Sequence, residues 1–469
     1  MTAMMHLQSA LPWLSAATLV GDARTEVLRV HTDTRTVEPG DLFLALKGEK
    51  FDANAMLHQA CKQGASALIC HAGLPTESYP AGIPRIEVPD THAALTQLAT
   101  GWRAQFGLPL IAVTGSTGKT TVTQMLASIL AAAAGDDALA TRGNLNNDIG
   151  VPLTLLRLRA HHRIAVVELG MNHPGEIDAL SRMAQPTVAL VNNAQREHLE
   201  FMQTVQAVAE ENGAVIGSLS ASGVALFPAD DDFTALWTGL ALPRRIHRFA
   251  LAATGDAQDL VCQQAQWVGG AWAVQASGMG HDFAFALHIA GRHNVKNALA
   301  AAACALSAGV PLAAVRQGLQ AFVPVKGRSN AIALAMGERS LTLVDDTYNA
   351  NPDSVRAAIA VLAELPGPRL LVLGDMGEVG DQGPAFHTEA GAEAQASGIE
   401  QLFAIGELAR YAVAAFSGAR HFASIEALNA AVRQQLAKTS SVLVKGSRFM
   451  RMERVVEAVC AAASAQGTP

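Results

Sequence analysis

The residues with the clearest chemical purpose are Thr114-Gly115-Ser116-Thr117-Gly118-Lys119-Thr120-Thr121, directly after the apolar run Leu110-Ile111-Ala112-Val113. A strand running into a glycine turn, then a lysine and a hydroxyl at a helix start, is a layout for binding phosphate. Glycines let backbone N–H groups converge on an anion, and the helix N-terminus adds roughly half a positive charge. Lys119 is placed to reach the terminal phosphates of a nucleotide, and the hydroxyl of Thr120 suits Mg²⁺. The generic loop has a further glycine five residues before Gly118, where this chain has Val113. The loop is therefore a shortened variant, G-x-x-G-K-T. Gly, Ser and Thr between a strand and a helix also make ordinary turns and caps. The strand before the loop and the helix-forming residues 124–134 after it favour nucleotide binding.

Three further groups stand near that loop in pattern. Glu168 ends the β-branched run 164–169, and a carboxylate at a parallel strand's tip beside a phosphate loop is where a Mg²⁺ ligand belongs. Taken alone it is equally the acid at a helix start. His198 follows the next strand, 187–191. A single histidine is ordinarily a surface or core residue, but this position brings it near Glu168, so the two can share a divalent ion. Asn294 and Asn297 lie three apart on one helix face, open to reading a base edge or to capping the helix after Gly291. The run Asp230-Asp231-Asp232 reads as a solvated helix start, since adjacent acids do not aim at one ion from a regular element.

The elements that must position these groups form an α/β pattern of about three domains, on a prior of roughly 150 residues each. Residues 1–105 read as a small α/β unit. It has strands at 41–46 and 67–70, a helix at 55–64, and a helix at 92–106 that delivers the chain to the loop. Residues 106–324 alternate buried parallel strands with helices. The pattern then changes, and 267–272 and 283–289 read as antiparallel hairpin strands of a small second sheet, closed by a helix at 294–307. Residues 325–469 alternate again as a Rossmann-like, doubly wound unit, with strands at 341–344, 370–373, 401–405 and 441–444. A ligand is expected at the carboxyl ends of those strands.

Composition excludes several classes. The chain has 469 residues, with 34 basic and 41 acidic side chains and a net charge of −7. This argues against a nucleic-acid partner or an anionic membrane surface. No 18-residue stretch is apolar enough to insert in a membrane, and the N-terminal segment lacks a signal peptide's charged start. The five scattered cysteines contain no C-x-x-C pair and read as free thiols of a reducing cytoplasm.

Taken together, the loop, Glu168, His198 and Gly291-Arg292-His293-Asn294-Val295-Lys296-Asn297-Ala298 resemble the Mur ligases, ATP-dependent amide-bond enzymes of peptidoglycan precursor synthesis. The resemblance runs from about residue 32 to about residue 453. Residues 141–152, 168–176, 345–352 and 373–378 look like the members of that family that add D-alanyl-D-alanine to UDP-N-acetylmuramoyl-tripeptide. It implies a monomeric cytoplasmic enzyme using ATP and Mg²⁺. Gly115, Ser116, Thr117, Gly118, Lys119, Thr120 and Thr121 would hold the ATP phosphates together with Arg328. Thr120, Glu168 and His198 would hold Mg²⁺. Asn294 and Asn297 would lie near the adenine, and Asp346 at the ribose or the hinge between domains. Lys119, Glu168, His198 and Arg328 would carry the catalysis.

On the substrate side, Asp33, Thr34, Arg35, Lys47 and Gly48 would take the uridine diphosphate end. Thr141, Asn144, Asn146 and Asn147 would line the muramyl-peptide channel. Asn349, Asn351, Lys445, Ser447 and Arg448 would close on the substrates from the third domain. Two positions depart from the family pattern. Asn212 stands where many members carry a carbamylated lysine, and Glu211, or a water on Asn212, is expected to substitute for it. Asn54 stands where a histidine is usual. The alternatives are another Mur ligase that adds meso-diaminopimelate or lysine, a folylpolyglutamate synthetase-like ligase, a P-loop switch or motor, and a silent binding module.

Overall fold

A computed structural model describes residues 3–48, 51–268, 271–337 and 339–466. Three sheets account for the alternation in the sequence. The first has the order Thr18–Val20, Arg85–Val88, Ala67–His71, Asp41–Leu44, Arg29–His31, parallel except for its first strand. Every residue of Asp41–Leu44 is buried, as a strand covered on both faces requires.

The second sheet has nine strands. From Ala138–Ala140 through Ile164–Glu168, Leu110–Thr114, Val188–Val191, Val224–Pro228 and Arg245–Ala250 to Leu260–Val268, all neighbours run parallel. Ala271–Gly278 and His281–Leu287 then add antiparallel strands to the same edge. The antiparallel part is thus not a separate small sheet but a continuation of the parallel one. Within it, Trp267 pairs directly with Trp272, so the 267–272 run holds the end of one longer strand and the start of the next rather than a single strand. Gly269 and Gly270 of that run lie outside the described residues. The third sheet has the order Asn330–Met336, Arg339–Asp346, Ser441–Lys445, Arg369–Gly374, Gln401–Ile405, Arg420–Phe422, parallel but for its first strand.

Separate apolar clusters fill the two faces of the second sheet and the two faces of the third. On one face of the second sheet, the phosphate-loop helix Lys119–Ala134 packs on helices Arg292–Ser307 and Leu312–Ala321. The alanines at 298, 300, 301, 302 and 303 are fully buried, and such small side chains let backbones approach closely. Gly318 takes this furthest. A Cβ there would lie 2.3 Å from Ile129 Cα, and its carbonyl accepts a 2.7 Å hydrogen bond from Ser128 Oγ. This crossing fixes the helix that carries Lys119. Gly318→Ala is expected to destabilise the fold by about 1–3 kcal/mol through overpacking, read as a lower thermal midpoint. An unchanged midpoint would show that the crossing has room to spare.

Candidate active site

A cleft of about 860 Å³ opens where the carboxyl ends of the second and third sheets face one another. From the second sheet it is lined by residues 116–121, Glu168 and residues 192–198; from the third by residues 327–329, Asp346, Asn349 and Lys445. This is where open α/β sheets bind ligands.

The loop is held open by the polar residues after the neighbouring strand. Thr117 N donates to Asn193 Oδ1 at 2.9 Å, Gln195 N donates to Ser116 Oγ at 2.8 Å, and Asn192 Nδ2 donates to Thr117 O at 2.8 Å. Gly118 has φ +79°, and a Cβ there would sit 2.6 Å from Asn297 Oδ1 and 2.7 Å from Asn192 Nδ2. Glycine is therefore required at that point both by backbone conformation and by space. Asn294 and Asn297 are buried behind the loop. Asn294 donates to Ala290 O, Asn297 donates to Asn294 Oδ1, and Asn297 Oδ1 accepts from Asn192. Their amides brace the loop in this structure, and the helix N-cap, Gly291, makes no side-chain cap.

Lys119 Nζ curls back on its own loop, donating to Gly115 O (2.5 Å), Ser116 O (3.1 Å) and Glu197 Oε1 (2.9 Å). Thr120 Oγ1 donates to Glu168 Oε1 at 2.9 Å, and Asn146 Nδ2 donates to the same oxygen at 2.8 Å. The other oxygen, Glu168 Oε2, is buried with no hydrogen-bond partner. A buried carboxylate oxygen left unmatched is costly. Beside a hydroxyl and a phosphate loop, it fits a hard cation such as Mg²⁺, which takes one or two carboxylates plus phosphate oxygens and water.

His198 does not share that arrangement. Its Nε2 lies 3.1 Å from Glu197 Oε1 and its Nδ1 lies 2.8 Å from Glu378 Oε2. Burial opposes its charge, but the hydrogen bonds to Glu197 and Glu378 outweigh burial and lift its pKa to about 9. In this structure both ring nitrogens thus face carboxylates rather than Glu168. Among the described residues, no group of three or more His, Cys, Asp or Glu side chains is gathered to hold one ion. Glu211 is likewise committed elsewhere. Its carboxylate accepts from Gly175 N and Ile177 N, both at 2.8 Å, at the start of helix Glu176–Ala184. Asn212 Oδ1 accepts from Thr114 Oγ1 at 2.6 Å, and its Nδ2 donates to Val208 O. Both side chains are thus bonded within the fold in this structure.

The third sheet presents its own polar edge. Asp346 and Lys445 are register partners on adjacent strands, and Lys445 Nζ donates to Asp346 Oδ2 at 2.6 Å. Asp346 Oδ1 also accepts from Ser329 N, so this carboxylate ties down the segment that enters the third domain. Arg328, in that segment, stacks 4.1 Å over the ring of Tyr348, and its Nε is buried without a partner. Asn349 lines the cleft, and Asn351 also caps helix Pro352–Ala363. Ser447 and Arg448 do not line the cleft. Ser447 Oγ accepts from Gly377 N and donates to Ala350 O, and Arg448 pairs with Glu453 on the surface.

Of the expected channel residues, Asn144, Asn146 and Asn147 line the cleft. Thr141 is buried beneath it, accepting from Glu168 N. The acidic run 230–232 lies at the cleft's rim rather than fully in solvent. Asp230 pairs with Lys296, and burial raises the pKa of Asp231. Asp33, Thr34, Arg35, Lys47 and Gly48 follow the parallel strands Arg29–His31 and Asp41–Leu44, so they share one edge of the first sheet, outside this cleft. Asn54 is buried there and stitches its loop, donating to Asp52 Oδ1 and accepting from His71 N.

Arg196, Glu197, Asp353, Glu378 and Glu389 were not among the expected site residues. The only signal for the first two was the polar run between strand Val188–Val191 and His198.

A nucleotide-type loop on one sheet, facing a Rossmann-like sheet across a cleft with an incompletely paired guanidinium, defines an ATP-dependent ligase architecture, and the chain belongs to the Mur ligase family. Residues 26–103 match the model "Mur ligase family, catalytic domain", residues 113–305 the "Mur ligase middle domain", and residues 327–448 the "Mur ligase, glutamate ligase domain". The chain is 40% identical over 433 residues to the UDP-N-acetylmuramoyl-tripeptide–D-alanyl-D-alanine ligase of Escherichia coli K12, covering 92% of this chain and 93% of that one. Its fold is similar to the crystal structure of MurF from Acinetobacter baumannii, with TM-score 0.88 and 35% identity over 97% of this chain and 99% of that one. It is also similar to MurF from Thermotoga maritima in complex with ADP, with TM-score 0.82 and 25% identity over 94% and 98% of the two chains.

Glu168→Gln keeps an oxygen for Thr120 and Asn146 but removes the charge. The apparent Mg²⁺ affinity for nucleotide binding is expected to fall at least about tenfold, with the thermal midpoint unchanged. An unaltered Mg²⁺ titration would remove Glu168 from the metal site.

Proposed function

We propose that this chain joins D-alanyl-D-alanine to UDP-N-acetylmuramoyl-tripeptide at the expense of ATP, as a cytoplasmic monomer in peptidoglycan precursor synthesis. The observation that carries the ligase reading is one cleft holding Lys119 on its phosphate loop and, from the other sheet, Arg328 with a buried, unpartnered Nε. Two cations converging from separate sheets suit a polyphosphate lying between them. The choice of substrates rests on the 40% identity to the Escherichia coli enzyme over nearly the whole chain.

In this reading residues 1–105 bind the uridine diphosphate end through Asp33, Thr34, Arg35, Lys47 and Gly48. Residues 106–324 hold ATP, and residues 325–469 close over it. Asn144, Asn146 and Asn147 flank the muramyl peptide, and Asn349 and Lys445 face it from the third domain. Thr120 and Glu168 would hold Mg²⁺, which supplies charge neutralisation at the phosphoryl oxygens.

A free carboxylate is a poor acyl donor because its leaving group would be oxide or hydroxide. Lys119 leaves Glu197 and its loop carbonyls for the incoming phosphates, and Arg328 meets them from the opposite wall. Held so, the γ-phosphorus is attacked by an oxygen of the tripeptide carboxylate, and ADP leaves. The acyl phosphate formed has phosphate as its leaving group. The dipeptide amine attacks the acyl carbon, losing a proton as the C–N bond forms and the C–O bond to phosphate breaks. The chain's work is positioning and charge stabilisation, as in phosphoryl transfer generally. It must also exclude water, which would hydrolyse the acyl phosphate.

Phosphate release from ATP is expected to require both UDP-N-acetylmuramoyl-tripeptide and D-alanyl-D-alanine. Equal release with glutamate or single amino acids in place of the dipeptide would refute the substrate assignment. Lys119→Ala is expected to lower kcat by at least about 10²-fold with the fold intact. Retained turnover would make the loop merely structural.

A further inference from the structure

We propose that Arg196 is a positioning residue that couples closure of the third domain to the phosphate loop. The inference rests on the cleft being the ATP site of a ligase. Its basis is the alternation of partners along residues 195–198. Gln195 faces the loop: its N donates to Ser116 Oγ, and its Oε1 accepts from Thr117 Oγ1 at 2.8 Å. Arg196 faces the third domain. Its backbone N donates to Asp353 Oδ2 at 2.8 Å, its Nη2 donates to Asp353 Oδ1 at 2.7 Å, and its Nη1 donates to Glu389 Oε2 at 2.8 Å. Glu197 turns back to the loop and takes Lys119, while His198 turns out again to Glu378.

A guanidinium fork fixes a carboxylate in direction as well as distance, which an ammonium does not. The Arg196 side chain is 22% exposed and that of Asp353 13%, so solvent screens the pair less than a surface bridge. Asp353 sits in the first turn of helix Pro352–Ala363, whose start is set by the Asn351–Ser354 capping box. That helix follows directly on Tyr348 and Asn349, which line the cleft. The fork thus joins two rigid elements: the strand end that shapes the phosphate loop, and the helix start that follows the third domain's contribution to the site. No atom of Arg196 needs to touch the nucleotide for its loss to let the two walls separate.

The test compares Arg196→Met, Asp353→Asn and the double variant by steady-state kinetics, and by solution X-ray scattering without nucleotide. Each single change should lower kcat about tenfold or more while leaving the KM for UDP-N-acetylmuramoyl-tripeptide within about twofold. The double variant should be no slower than the slower single, since residues in one pair are strongly non-additive. Arg196→Lys should fall between, keeping charge but losing the fork. Scattering should show a larger radius of gyration for Arg196→Met than for the wild type. Unchanged kcat and radius in both single variants, additive losses, or a uniform rise of every KM with a lower thermal midpoint would each overturn the proposal. If the wild type shows no dipeptide-dependent phosphate release, the ligase reading fails, while the radius comparison still decides whether Arg196 holds the domains together.

Discussion

Everything in the cleft depends on pairing charges that the fold has taken out of water. Lys119 and Glu197 form a largely buried ion pair at the phosphate loop, and His198 continues from Glu197 to Glu378 of the third domain. Removing charges from water is expensive, and breaking such a pair is costly because it leaves an uncompensated charge. Lys119 is thus neutralised by Glu197 in this structure. A nucleotide's phosphates carry more charge than Glu197 and accept hydrogen bonds from the loop's N–H groups as well, so they can displace it.

The same constraint explains the geometry around the loop. Its backbone is shaped less by its own residues than by Asn192, Asn193 and Gln195 from the neighbouring strand end, with Asn297 behind. The N–H groups of Ser116 and Thr117 are themselves taken by Asn193, so the loop's shape is set in advance by its neighbours. Glu168, with one oxygen saturated and one buried and bare, is prepared for a cation in the same sense.

Much of this was legible in the sequence because it is local. Thr114–Thr121, Glu168 and the strand positions follow from patterns spanning a few residues, and the parallel strands declared themselves as short β-branched runs. What the sequence hid lies at long range. Arg196 meets Asp353 and Glu389 at separations of 157 and 193 residues, which no periodicity records. His198 was found by its place after a strand, but the carboxylates beside it, Glu197 and Glu378, were not foreseen, the second lying in the third domain. Glu211 shows the converse, since a carboxylate in a suggestive position is used up on the N–H groups of a helix start. Trp267 to Trp272 has the composition of one strand, yet its two tryptophans pair with each other on two neighbouring strands.

The central claim is that the phosphate loop exists to activate a carboxylate. Labelling the terminal carboxylate of UDP-N-acetylmuramoyl-tripeptide with ¹⁸O tests it directly. If the carboxylate oxygen is the one that attacks the γ-phosphorus, each amide formed releases one phosphate carrying one ¹⁸O from the peptide. Phosphate that carries no label, with both labelled oxygens accounted for elsewhere, would contradict the account.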